Sequence, residues 1–115
     1  MDINYHLDDF TEKNYKSLVT LASSKYEFLQ YGNSSEEKHV IWRHDVDFSM
    51  HRALQLAKIE KEIGVNSTFF IMLRCEFYNI FERDIKDCVS EILSLGNDIG
   101  LHFDTSYYPN LKSAQ

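Results

Sequence analysis

Ile41-Trp42-Arg43-His44-Asp45-Val46-Asp47-Phe48 closes a segment that reads as a strand, and Ser49, a natural helix N-cap, follows at once. Polar chemistry therefore stands where a strand stops. In sheets built from βα units, ligands and catalysis gather at the carboxyl ends of strands, where loops open to solvent and the strand holds side chains rigidly. Strand side chains alternate with period two, so Asp45 and Asp47 share one face and His44 takes the other.

Working outward, Met50, Ala53, Leu54, Ala57 and Ile63 form one helical stripe that ends at Gly64, where a left-handed C-terminal residue belongs. Ser67 to Leu73 is a continuous apolar run with polar flanks, the pattern of a buried strand. A polar and aromatic connection over 74–83 precedes a second amphipathic helix carrying Ile85, Cys88, Val89, Ile92 and Leu95, which ends at Gly96. Asp98 to Asp104 then alternates as a strand, with Asp98, Gly100, His102 and Asp104 on one side. Upstream, Asp9-Phe10-Thr11-Glu12 has capping-box spacing before a helix over 10–24. Tyr26 to Tyr31 suits a short strand, 32–35 a turn, and 39–47 the next strand. The tail over 105–115 has no periodicity. Helices of a dozen or more residues between the last three strands imply parallel pairing, and the class is α/β.

Parallel pairing brings the carboxyl ends of all three strands to one rim. Asp45 and Asp47 from one strand, and His102 with Asp104 from another, then converge from distant positions. Two carboxylates with an imidazole suit zinc, iron, manganese or cobalt better than calcium or magnesium, which favour all-oxygen shells. Two like charges side by side also call for a cation or a shared proton. His51, one turn into the helix, would add a second nitrogen. Each residue has a plainer reading as well. Asp47 stands where a helix cap or dipole partner would, and His51 where a solvated helix residue would. His102 could be a satisfied rim residue, and the aromatics Phe69, Phe70, Phe77, Tyr78 and Phe81 fit core and loop packing or a surface that stacks on sugar faces.

With 115 residues, 43% hydrophobic and 14% aromatic, the chain fits one domain over 1–115 with a packed core. A net charge of −6 with dispersed Lys and Arg disfavours nucleic acid as a partner. Neither a basic, apolar leader nor a membrane-length apolar run is present, so a cytoplasmic location without a membrane partner is expected. Cys75 and Cys88 lack CxxC spacing and read as small buried hydrophobes. With no Gly-rich phosphate loop either, a redox or nucleotide-binding domain lacks support.

At the rim residues the chain resembles the polysaccharide deacetylases, the NodB-homology or carbohydrate esterase family four. Arg43-His44-Asp45-Val46-Asp47 looks like a divergent form of that family's first motif. Gly64-Val65-Asn66-Ser67-Thr68-Phe69-Phe70 is similar to its Gly-x-x-(Ala/Ser)-Thr-Phe-Phe strand, and Gly96-Asn97-Asp98-Ile99-Gly100-Leu101-His102 to its Gly-His-Glu-Ile-Gly-x-His run. The three matches span 41–104 in the family's order. The resemblance implies about the first half of a (β/α) barrel and metal-dependent hydrolysis of N- or O-acetyl groups on a glycan, with activity expected only where further segments or oligomerisation complete the site. It makes Asp45 the general base, and Asp47 and His102 ligands of a divalent metal, zinc before cobalt, manganese or iron. Ser106 stands where the family has a second histidine ligand, which leaves His51 or Asp104 to take that place. An acetylated glycan or amino sugar is the implied partner, and open sheet edges imply a homo-oligomer. A non-catalytic metal- or carbohydrate-binding module is the alternative from another functional class.

Overall fold

The computed structural model describes residues 10–103. Helix α1 (Glu12–Lys25) leads into strands β1 (Glu27–Leu29) and β2 (His39–Ile41). Strand β3 (Arg43–Val46), helix α2 (Met50–Ile63), strand β4 (Thr68–Ile71), helix α3 (Arg83–Ser94) and strand β5 (Asp98–Leu101) follow. The chain is a mixed α/β fold in which every strand pair is parallel.

Local chemistry sets the helix ends. The Thr11 hydroxyl accepts from the Asn14 amide at 3.1 Å, so α1 starts at Glu12 rather than at 10. The Ser49 hydroxyl caps α2 by accepting from the Arg52 amide at 3.2 Å. At the other end of α2, Gly64 adopts φ of 90°, its amide reaches the Lys61 carbonyl, and the Val65 amide reaches that of Glu60. That pair of bonds is a Schellman ending, which places its left-handed residue where only glycine escapes a Cβ penalty.

The strand expected over 39–47 divides at Trp42. Residues 39–41 pair with β1 in a two-stranded sheet, whereas residues 43–46 pair with β4 in a three-stranded sheet of order β3-β4-β5. Trp42 serves both sides of the break. Its ring packs 5.6 Å from that of Phe28, its indole N–H donates to the Tyr15 hydroxyl at 3.0 Å, and its carbonyl accepts from the Thr68 amide at 3.0 Å. A change of pairing partner along one run leaves no trace in alternation, because both halves keep period two. The described strands make two open sheets and no closed barrel.

Helices α2 and α3 follow β3 and β4 as expected, and their apolar stripes join one core. Val46, Phe69 and Ile71 from the sheet meet Met50, Ala53, Leu54 and Ala57 from α2 and Ile85, Cys88 and Ile92 from α3. Both cysteines are free and buried, as their spacing suggests. No described helix is long and apolar enough to cross a membrane.

The connection after β4 is built rather than slack. An antiparallel bridge joins Arg74 and Asn79, the Cys75 amide donates to the Tyr78 carbonyl at 3.0 Å, and the Ile80 amide donates to that of Leu73 at 3.1 Å. Buried Tyr78 bolts this loop to the sheet. Its hydroxyl donates to the Val46 carbonyl at 2.6 Å and accepts from the Met72 amide at 2.8 Å. Burial pushes this phenol up to about 12 from its ordinary 10.

Tyr78→Phe strands a buried carbonyl and a buried amide, and is expected to lower stability by about 1–3 kcal/mol in urea unfolding. A phenol raised in the folded state supports folding fully below pH 10, and that support is lost as pH rises to about 12. The wild-type urea midpoint should therefore fall more steeply than that of Tyr78→Phe across this interval.

Candidate functional site

Register decides what meets at the rim. Asp45 lies beside Phe70, and Phe70 beside Gly100; one step further, Val46, Ile71 and Leu101 are in line. By alternation, Val46 and Ile71 face the helices, whereas Arg43, Asp45, Phe70 and Gly100 share the other face. One residue beyond the ladder, Asp47 and His102 continue that second face. The His102 amide donates to the Ile71 carbonyl at 2.8 Å, so its backbone is held as an extension of β5.

The structure brings Asp47 and His102 together. Asp47 Oδ1 stands 3.4 Å from His102 Nε2, with side chains 48% and 32% exposed. Ligand distances near 2.1 Å in a tetrahedral zinc site imply donors about 3.4 Å apart, so this oxygen and nitrogen fit two vertices of such a shell. They are also open to solvent. Among the described residues, no group of three or more His, Cys, Asp or Glu is arranged to hold a metal ion.

Asp45 shares the face but has its own partner. Arg43 donates from Nη2 at 2.6 Å and from Nε at 3.1 Å, both to Asp45 Oδ1. Hydrogen bonding to Asp45, then to Tyr31, pushes the Arg43 guanidinium above its ordinary value. The same guanidinium lies 4.0 Å above the Phe70 ring, and Tyr31 meets that ring edge-on at 5.7 Å. Phe70 in turn lies over Gly100, where an added Cβ would come within 2.5 Å of the ring. Gly100 is thus required by close approach, and the stack Gly100-Phe70-Arg43 sets where Asp45 is held.

His51 is drawn elsewhere. Its Nε2 lies 3.4 Å from Asp84 Oδ2 and its Nδ1 lies 3.4 Å from Cys88 Sγ, which ties it to α3. Burial, then the charges of Asp84, Glu91 and Asp87, pushes the Cys88 thiol up. Asp104 and Ser106 lie outside the described residues.

His44 faces inward as alternation requires, into a polar network that sequence reasoning missed. Its Nε2 lies 3.2 Å from Glu60 Oε1 and 3.2 Å from the Tyr15 hydroxyl, and its ring stacks on Phe69 with centroids 4.6 Å apart. Glu60 is fully buried. Burial first, and then the Glu60 charge, raises the Tyr15 phenol well above its ordinary value. One signal was available: Glu60 falls on the same stripe as Met50, Ala53, Leu54 and Ala57, and a carboxylate in register with buried positions needs a partner. Asn97 is similar. Its side chain accepts from the Ser67 amide at 3.0 Å and donates to the Ile92 carbonyl at 3.1 Å, joining the end of α3 to the start of β4.

Comparisons with protein-family models, curated proteins and solved structures return no match.

Gly100→Ala is expected to push the Phe70 ring aside and destabilise the fold by about 1–3 kcal/mol, the range for inserting a methyl into packed surroundings. Urea unfolding measures the loss. Restoration in Gly100→Ala/Phe70→Leu would assign it to this one contact.

Proposed function

We propose that the chain forms about the first half of a (β/α) barrel of the polysaccharide-deacetylase kind, and that its rim serves metal-dependent hydrolysis of N- or O-acetyl groups on a glycan. The observation that carries this is the 3.4 Å approach of Asp47 Oδ1 and His102 Nε2 at the carboxyl ends of parallel strands, with Asp45 on the same face. Further support comes from the three sequence stretches that resemble the family, which supply these residues in the family's order.

Asp47 and His102 would hold a divalent cation, zinc before cobalt, manganese or iron, through one oxygen and one nitrogen. When bound, such a cation supplies Lewis-acid polarisation of a carbonyl oxygen. Asp45 would take a proton from the attacking water as general base. Arg43, on Asp45 Oδ1, orients that carboxylate. The open edges of the β3-β4-β5 sheet favour self-association as part of the same proposal. A concentration-independent monomer mass in light scattering would count against that part.

A second reading has an observation of its own. Asp45 is engaged by Arg43, and no third ligand joins Asp47 and His102 among the described residues. Both facts favour a metal- or carbohydrate-binding module without hydrolysis.

Cobalt titration followed by visible absorption, with acetate release from N-acetylated amino-sugar oligomers, separates the two. Cobalt binding weakened at least about tenfold by Asp47→Asn and by His102→Gln, a loss of about 1.4 kcal/mol or more, is expected for either. Acetate release abolished by Asp45→Asn marks the hydrolase, and cobalt binding without acetate marks the module. Unchanged cobalt affinity in both ligand variants would sink the metal site itself.

A further inference from the structure

The two edges of the β3-β4-β5 sheet are not equivalent. On β3 the Asp45 carbonyl already accepts from the Asp47 amide at 3.1 Å, and the Arg43 and Asp45 side chains are bonded to each other. Occupied backbone groups and charged side chains protect an edge from a further strand. On β5 the parallel ladder engages every second residue. The Asp98 amide donates to the Ser67 carbonyl at 3.2 Å and the His102 amide to that of Ile71 at 2.8 Å, so the amides and carbonyls of Ile99 and Leu101 point away from β4. Among the described strands, β4 is the one neighbour of β5. Apolar surface flanks this free edge: Leu101 is 47% exposed, and Leu93 of α3, which lines a surface groove with Ile99 and Gly100, is 49% exposed.

The edge sequence matches its own reverse. In Asp98-Ile99-Gly100-Leu101-His102, an antiparallel pairing centred on Gly100 sets Ile99 opposite the second copy's Leu101, and Asp98 opposite the second copy's His102. Ile99 and Leu101, which carry the outward backbone groups, then take the hydrogen-bonded positions, where two residues exchange both bonds. Asp98 and His102 take the closer, non-hydrogen-bonded positions, with Cβ atoms about 4.5–5.5 Å apart, where a carboxylate and an imidazole attract. Alternation keeps the apolar pairs on the helix side and the polar pairs on the rim side. A register moved by two residues either way sets Gly100 against Asp98 or against His102 and leaves the polar groups unmatched.

We infer that the chain pairs with a second copy through β5, antiparallel and centred on Gly100, and that each copy thereby lends its Asp98 carboxylate to the other's Asp47–His102 pair. His102, 3.4 Å from Asp47 of its own chain, then has a carboxylate from each copy beside it. Among the described residues of one chain, that pair has no third ligand. The pairing specifies the self-association proposed above. Use of Asp98 as a cation ligand rests on the metal reading; the pairing does not.

The test uses the full chain. Sedimentation equilibrium is expected to show a reversible dimer, and amide exchange followed by NMR to slow about tenfold or more at Ile99 and Leu101 as the dimer fills. The Asp98 and His102 amides, bonded to β4, keep the same protection at every concentration. In a mixture of labelled and unlabelled protein, a nuclear Overhauser effect between the Gly100 Hα atoms of the two copies fixes the register. Leu101→Lys, a charge at an exposed edge position, should weaken the dimer at least about tenfold with an unchanged circular dichroism spectrum. Cobalt affinity should fall with the dimer in Leu101→Lys, and with the dimer retained in Asp98→Asn. A monomer at every concentration, or a dimer whose Ile99 and Leu101 amides exchange as fast as in the monomer, would overturn the pairing. Cobalt affinity unaltered in both variants would overturn the lent ligand. Protected amides without acetate release leave the pairing standing and remove the hydrolase, and acetate release from a strict monomer does the reverse.

Discussion

Parallel pairing of Arg43–Val46 with Thr68–Ile71, and of that strand with Asp98–Leu101, governs where every polar group of the rim can go. Parallel strands end on the same side, and alternation then assigns each side chain to a face. Asp47 and His102 stand one step past the ladder on two strands that are not neighbours, with β4 between them. Their 3.4 Å contact follows from register and from the His102 amide held on the Ile71 carbonyl. A slip of one residue in either pairing would turn one of the two toward the helices.

The two faces of this sheet are kept apart by different physics. Toward the helices, apolar burial dominates, and among the described residues the one fully buried carboxyl is Glu60, opposite His44 and the Tyr15 hydroxyl. Toward the other side, Arg43, Asp45 and Phe70 are joined by charge-assisted hydrogen bonds and a cation–π stack that remain accessible to solvent. His44 and Asp45 are adjacent in sequence yet belong to these two regimes. The first ties the sheet to α1 and α2, and the second belongs with the rim.

Trp42 marks the point at which local pattern and tertiary pairing part company. Val40 and Trp42 point the same way along one continuous run, so alternation predicts a single strand across 39–47. The indole, fixed between Phe28 and the Tyr15 hydroxyl, occupies the point where one sheet hands over to the other. The His51 position shows the same limit from the helix side. Its place as the second residue of α2 allows it to look toward the rim or toward α3, and Asp84 and Cys88 decide for α3.

By itself the sequence determined the α/β class, the two crossover helices and their ends at Ser49, Gly64 and Gly96, and the assignment of Asp45 and Asp47 to one face and His44 to the other. These are properties of periodicity and capping, which depend on residues a few positions apart. Tertiary structure alone decided which strands pair on each side of Trp42, that Arg43 stacks on the Phe70 ring, that Glu60 is buried against His44, and that His51 leaves the rim. Each of these depends on contacts between distant segments, whose distances become defined only when the sheet and its helices pack.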